Sequence, residues 1–225
     1  MGDIYYTEKD VGIFLCHAEK GRKLAGKLKK ELEGYGFKVF LAHEDIRGSK
    51  EWEEVLIENI RGCDVFCILL TDDVSASEFC DQETGIAIDH GKIILPMKVS
   101  NLDPYGFAKK YQALKLDTDD MEFNVRGIID SVCHQNGLKG KSIEFLIEYF
   151  GKSDNYQEAG VRTADLVKFA PLSDSQLNRI AQLTIENNQI SDSWEAQKHL
   201  KKLFSDNEKR IKDNLVRDLR GLNLL

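Results

Sequence analysis

Val65-Phe-Cys-Ile-Leu-Leu70 is an unbroken apolar run set between the polar Asp64 and Thr71. A run this short and this continuous is what a strand buried on both faces requires. Three further stretches read the same way: Val11-Gly-Ile-Phe-Leu-Cys16, Phe37-Lys-Val-Phe-Leu-Ala42 and Ile93-Ile-Leu-Pro-Met97, the last ended or edged by Pro96. Helical spacing fills the intervals. Leu24, Ala25, Leu28 and Leu32 recur among lysines before Gly34, which is expected to close that helix, and Trp52, Val55, Leu56 and Ile60 share one side of the next. A third helix is expected from about Glu78 to Asp89. After an irregular stretch around Asp103-Pro-Tyr-Gly106, Phe123, Ile128, Ile129 and Val132 mark a last amphipathic helix. Strands alternating with helices predict an α/β fold, a parallel sheet covered on both faces, with ligands at the carboxyl ends of the strands.

The rest of the chain differs in pattern and in charge. Residues 1–140 hold 18 basic and 25 acidic side chains, a balance of −7, whereas residues 141–225 hold 13 of each. The imbalance of the 225-residue chain thus belongs to its first part, and Gly137, Gly140 and Gly151-Lys-Ser-Asp-Asn155 punctuate the join. We expect a first domain over 1–137 and a small all-helical accessory region over 141–225. In the latter, Ser173 or Asp174 caps a helix carrying Leu177, Ile180, Ala181 and Thr184. Trp194, Ala196, Leu200, Leu203 and Phe204 form a second apolar set, and Ile211, Leu215, Leu219 and Leu222 a third. Such a small bundle is expected to lean on the first unit or on another copy of itself as an accessory packing domain, or to serve as a sensor or oligomerisation module whose trigger or partner the sequence does not identify.

Composition excludes several classes. An acidic balance disfavours nucleic acid as a partner. No apolar run reaches the roughly 18–20 residues of a membrane span, so no membrane association is expected. The acidic opening, MGDIYYTEKD, gives the expectation that neither a secretory signal nor a transit peptide is present. Five cysteines without a C-x-x-C pair argue for reduced thiols in a cytoplasm. His43-Glu44-Asp45 are consecutive and do not converge on a metal, and no glycine-rich nucleotide fingerprint is present, so no metal and no bound cofactor are expected. Cys16-His17 invites a thiol-protease reading, but adjacent side chains of a strand point to opposite faces. Cys133-His134 is expected at the surface end of a helix.

Function in such a fold lives in the loops after the strands. These carry Cys16-His17-Ala18, His43-Glu44-Asp45-Ile46-Arg47-Gly48 and Ser77-Glu78-Phe79-Cys80-Asp81-Gln82-Glu83. Here the sequence resembles the TIR (Toll/interleukin-1 receptor) domains. The first strand with Cys-His is similar to that family's Phe-Ile-Ser-x opening, and Asp45-Ile46-x-Gly48 followed by Trp52 is similar to its BB loop. Ser77-x-Phe79-Cys80-x-x-Glu83 resembles the Ser-x-Trp-Cys-x-x-Glu signature, and Glu83-Thr-Gly-Ile-Ala87 and Lys92-Ile-Ile-Leu-Pro96 follow in order. The resemblance covers about residues 8–136. It implies a flavodoxin-like sheet and, from the prokaryotic branch of the family, cleavage of the nicotinamide–ribose bond of NAD+. NAD+ would be the substrate rather than a cofactor, and the products nicotinamide and ADP-ribose or a cyclic ADP-ribose. The implied setting is antiviral defence.

The resemblance places Glu83 at the required carboxylate. One carboxylate suffices chemically, because nicotinamide is bound as a cationic pyridinium and departs neutral, needing no proton donor; what remains is to stabilise an oxocarbenium-like ribose. Phe79, one turn before Glu83, stands where the family usually has a stacking Trp. His17, Ala18, Asp45, Ile46, Trp52, Ser77, Phe79 and Cys80 are the expected substrate-binding residues. Cys80 also has the character of a small buried thiol that packs its helix on the sheet. Ile46 and Arg47 are expected at a head-to-tail self-association contact, of the heterologous kind that generates filaments. The competing class is a non-catalytic TIR adaptor acting by TIR–TIR association; a factor that mimics host TIR domains is a third.

Overall fold

The computed structural model describes residues 5–7, 10–42, 52–135 and 137–225. The chain divides into two compact units, Met1–Lys141 and Ser142–Leu225. The first contains β1 (Gly12–Cys16), α1 (Arg22–Gly34), β2 (Lys38–Phe40), α2 (Trp52–Gly62), β3 (Val65–Leu70), α3 (Glu78–Asp89), β4 (Ile93–Lys98), β5 (Leu114–Lys115) and α4 (Met121–Cys133). All strands pair in parallel in the order β2-β1-β3-β4-β5, the doubly wound flavodoxin-like arrangement.

β1 and β3 form the centre and every residue of each is buried, as their apolar runs require. Alternation sends Phe14, Cys16, Phe66, Ile68 and Leu70 to one face. There they join Leu56 and Ile60 of α2 and Cys80 and Ala87 of α3 in a single core cluster. Phe14 stacks on Phe66 with ring centroids 5.3 Å apart and lies at the same distance from Phe40. Pairs of this kind add about 0.5–1.5 kcal/mol each beyond the area they bury. Ala25, Leu28 and Leu32 of α1 are buried, and this helix and α4 contact each other.

Several expectations need correction. Among the described residues the sheet has five strands, not four: β5 is two residues long and pairs only Leu114 with Met97 and Lys115 with Lys98. Pro96 therefore does not end β4. It lies within the strand opposite Ile68, at a point which β5 has not yet reached, and an edge position tolerates a residue without an N–H. Gly34 is the last residue of α1 but not its stop; the left-handed position, φ 91°, falls on Gly36. Phe123 is 55% exposed, and α4 is buried instead through Asn124, Val125, Ile128, Ile129, Val132 and Cys133. One residue per helical turn of misassignment suffices to move a side chain off the core face.

The second unit is all helical. It contains α5 (Lys139–Gly151), whose first residues belong to the first unit, then α6 (Tyr156–Val167), α7 (Asp174–Glu186), α8 (Asn188–Ser191), α9 (Trp194–Asn207) and α10 (Asp213–Gly221). Ser173 caps α7 through a reciprocal capping box with Gln176. α6 and α9 approach so closely at Gly160 that a Cβ there would lie 2.7 Å from the Cβ of Glu195. Two expected core residues are placed differently. Trp194 sits at the first position of α9, 68% exposed, with the Lys198 ammonium 3.3 Å from its ring centroid. Ile211 is buried but precedes α10, whose own buried residues are Val216 and Leu219. No described helix is long and apolar enough to cross a membrane.

The start of β1 supplies a test of the packing. Gly12 lies beneath the ring of Tyr6, whose hydroxyl donates to the Ile13 carbonyl at 3.0 Å. A Cβ at residue 12 would fall 2.6 Å from that ring. Gly12→Ala is expected to destabilise the first unit by about 1–3 kcal/mol in urea denaturation. An unchanged midpoint would contradict the packing described.

Candidate active site

The loops at the carboxyl ends of β1 and β3 converge on the first turn of α3. Thr71, just past β3, donates its hydroxyl to Asp73 Oδ1 at 2.7 Å, while Asp73 Oδ2 accepts the Lys20 backbone N–H at 2.9 Å. This pins the β3–α3 connection to the connection after β1, and the Thr71 hydrogen bond holds the Asp73 carboxyl below its ordinary value. Ser77 then caps α3 by accepting the Cys80 N–H at 3.3 Å.

From that cap the helix presents Cys80, Glu83, Thr84 and Ala87 inward. The spacing of three, one and three residues is the buried stripe of an amphipathic helix, and a carboxylate occupies one of its positions. Glu83 is only 8% exposed. A glutamate on a helix flanking a sheet is ordinarily solvated, so this burial is the exceptional feature of the unit. Burial pushes the Glu83 carboxyl up to about 7, partly offset by a hydrogen bond from the Cys16 thiol. Cys16 ends the central strand β1. Its own thiol is pushed well above its usual value, first by burial, then by hydrogen bonding with Cys80 and by the charge of Glu83. It is therefore a neutral thiol set between Cys80 and the Glu83 carboxyl.

Glu83 opens into a cleft between α2 and α3. Trp52, Glu53, Leu56 and Ile57 line it from α2, and Phe79, Gln82, Glu83 and Ile86 from α3, enclosing about 170 Å³. Phe79 and Trp52 meet edge to face, with centroids 5.4 Å apart and planes at 88°. Phe79 is 57% exposed, which leaves much of its ring open to a ligand. Pockets that hold whole small-molecule ligands usually run to roughly 300–1,000 Å³. The described cleft therefore has room for one ring and its neighbour, not for a dinucleotide.

Of the residues expected to form a site, the structure brings together Trp52, Phe79 and Glu83. Ser77 and Cys80 do not line the cleft, because Ser77 is engaged as the helix cap and Cys80 is buried in the core between α3 and the sheet. Ala18 is buried in the same core cluster and starts the short turn Glu19–Gly21. His17 is buried elsewhere: its Cβ lies against Gly21 beside Leu69, a residue that alternates to the sheet face opposite Cys16. Asp45, Ile46 and Arg47 lie outside the described residues. Sequence reasoning did not assign a role to Cys16, Leu56, Gln82 or Ile86. Helical spacing from Phe79 could have found Gln82 and Ile86, and the end of a central strand is where Cys16 stands.

A raised carboxyl carries a thermodynamic signature. Below about pH 4.5 Glu83 is neutral in folded and unfolded chains alike. Between there and about 7 the unfolded chain ionises first, so stability falls as pH rises, and above 7 the loss is complete. At about 1.4 kcal/mol per pH unit the loss amounts to roughly 3–4 kcal/mol. Glu83→Gln is expected to unfold at higher denaturant than the wild type at pH 8 and at the same denaturant at pH 4. A Gln variant no more stable at pH 8 would show that the carboxylate is not desolvated.

The family model described as the TIR domain matches residues 13–128. None of the curated proteins matches the sequence significantly. Among solved structures the chain is similar to the TIR domain of the Toll-related receptor TRR-2 from the lower metazoan Hydra magnipapillata. Identity is 18% and the TM-score 0.46, over 53% of this chain and 96% of that one. The family match takes in more than half of the 225 residues and runs from β1 into α4, through every element that builds the cleft. The chain belongs to the TIR domain family.

Proposed function

We propose that this TIR domain is an NAD+ nucleosidase in which Glu83 is the catalytic carboxylate. The observation that carries the reading is the burial of Glu83 beside two aromatic rings, with its carboxyl raised to about 7. Desolvating a carboxylate lowers the stability of the fold, and perturbed groups of this kind in a cleft concentrate at sites of chemistry. TIR–TIR association alone does not call for a desolvated carboxylate in a cleft, and we therefore put the adaptor reading second.

The reaction asks little of the protein beyond position and charge. The nicotinamide–ribose end of NAD+ enters the cleft and the dinucleotide's other half lies outside it. Phe79 and Trp52 offer faces and edges to the pyridinium. As the C1′–N bond breaks, its electron pair passes to the ring nitrogen and neutral nicotinamide leaves. Ionised Glu83 stabilises the positive charge left on the ribose and accepts hydrogen bonds from its hydroxyls, in a setting where a low dielectric strengthens both. Water attacking C1′ gives ADP-ribose and a proton; an adenine nitrogen attacking instead gives a cyclic product. The neutral Cys16 thiol beside it adds no opposing charge. Ile46 and Arg47 are proposed at the contact between copies. The five cysteines, all free and buried, suit a reducing cytoplasm. Consumption of NAD+ by such a domain suits a role in antiviral defence.

Purified full-length chain incubated with NAD+ is expected to release nicotinamide, and Glu83→Ala to lower the rate about 100- to 1,000-fold. The ionised form is the working one, so the wild-type rate should climb between pH 6 and 8 with a midpoint near 7. Chromatography with mass detection reads both the nicotinamide and its co-product. Equal nicotinamide release by wild type and Glu83→Ala would refute the assignment, and no release by concentrated wild type would favour the adaptor reading.

A further inference from the structure

α3 borders a second cavity that the reaction at Glu83 does not use. It encloses about 410 Å³, more than twice the Glu83 cleft, and lies between α3 and the short turn Gly106–Lys110. Ile68, Thr84 and Ala108 are buried residues lining it, and Tyr105 and Phe107 line it as well. Phe107 is 77% exposed, the most exposed of the large apolar side chains among the described residues. An aromatic face held open at the mouth of an apolar cavity is a stacking platform.

The polar groups of the cavity define what it accepts. The Thr84 hydroxyl is already committed to the Cys80 carbonyl at 2.6 Å. The Tyr105 hydroxyl lies 3.0 Å from both the Val74 carbonyl and Asp81 Oδ1, two acceptors for its single proton. The Asp81 carboxylate therefore retains accepting capacity, and no lysine or arginine lines the cavity to claim it. The site as built presents an acceptor, an apolar floor and an open ring.

We propose that this cavity is a second binding site, taking a planar heterocycle of nucleobase size that stacks on Phe107 and donates an N–H to Asp81. The volume is within the range of small-ligand pockets and ample for one or two fused rings. Two sources share this chemistry: a purine with an exocyclic amine, and a pyridine carboxamide such as nicotinamide. Asp81 and Glu83 are two residues apart on α3 and serve different cavities, so occupancy here is separate from binding at Glu83 and independent of whether Glu83 is catalytic.

Saturation-transfer NMR and calorimetric titration of the full chain test the site with three probes: adenosine, nicotinamide, and purine riboside, which is adenosine without its exocyclic amine. At least one of adenosine and nicotinamide should bind, and which one does identifies the source. Phe107→Ala should weaken that binding about tenfold, and Asp81→Asn about ten- to 100-fold. If adenosine is the ligand, purine riboside should bind more weakly. Both replaced side chains are exposed, and circular dichroism is the check that the variants fold. Glu83→Ala should leave the affinity unchanged. Absence of binding by both adenosine and nicotinamide, binding indifferent to both Phe107→Ala and Asp81→Asn, or binding lost in Glu83→Ala would each overturn the proposal.

Discussion

The feature on which the site depends is a carboxylate held out of water: Glu83 on α3, buried beside Cys16, the residue that ends β1. Strand and helix belong to different layers of the fold, so the two residues are brought together only when the sheet and the helix are both in place. Burial would drive Glu83 to its neutral form, and the thiol restrains that drive without adding a charge. A lysine or arginine in the same position would pull the carboxyl far down and fix it as a structural ion pair. A neutral sulfur donor leaves it near neutrality, where small changes in its surroundings decide its ionisation.

The architecture around the contact makes α3 a fixed partition. Its start is held by the Ser77 cap and by Asp73, which gathers the Thr71 hydroxyl and the Lys20 backbone into one corner. Its inner stripe is anchored by Cys80 and Ala87 in the core. Six other positions are divided between two cavities. Phe79, Gln82, Glu83 and Ile86 face the cleft shared with α2, whereas Asp81 and Thr84 face the cavity bounded by Tyr105 and Phe107. One twelve-residue helix thereby presents a carboxylate to each, one buried and raised, the other exposed and hydrogen-bonded to a phenol.

Much of this was legible in the sequence because its signals were continuous. Val65–Leu70 is a strand end to end, and Glu78–Asp89 is a helix with the expected bounds. What escaped was decided by tertiary context. Leu114–Lys115 is too short to carry a period, and it is a strand only because Met97 and Lys98 offer a partner. Phe123 and Trp194 are large and apolar yet exposed, since residues at the first turn of a helix can sit outside the face that the later turns bury. The divergence of Cys16 and His17 was legible from strand alternation; what escaped was the packing of Cys16 in the core shared with α3. The motif blocks located Glu83; its burial could be inferred only by noticing that 80, 83, 84 and 87 form one stripe.

The most direct measurement is a carbon-13 NMR titration of the Glu83 side-chain carboxyl in the wild-type chain and in Cys16→Ala. A midpoint near 7 is predicted for the wild type, moving higher when the thiol donor is removed. A midpoint near 4.5, the same in both proteins, would mean a solvated glutamate with no partner in the strand, and would contradict the account of this site.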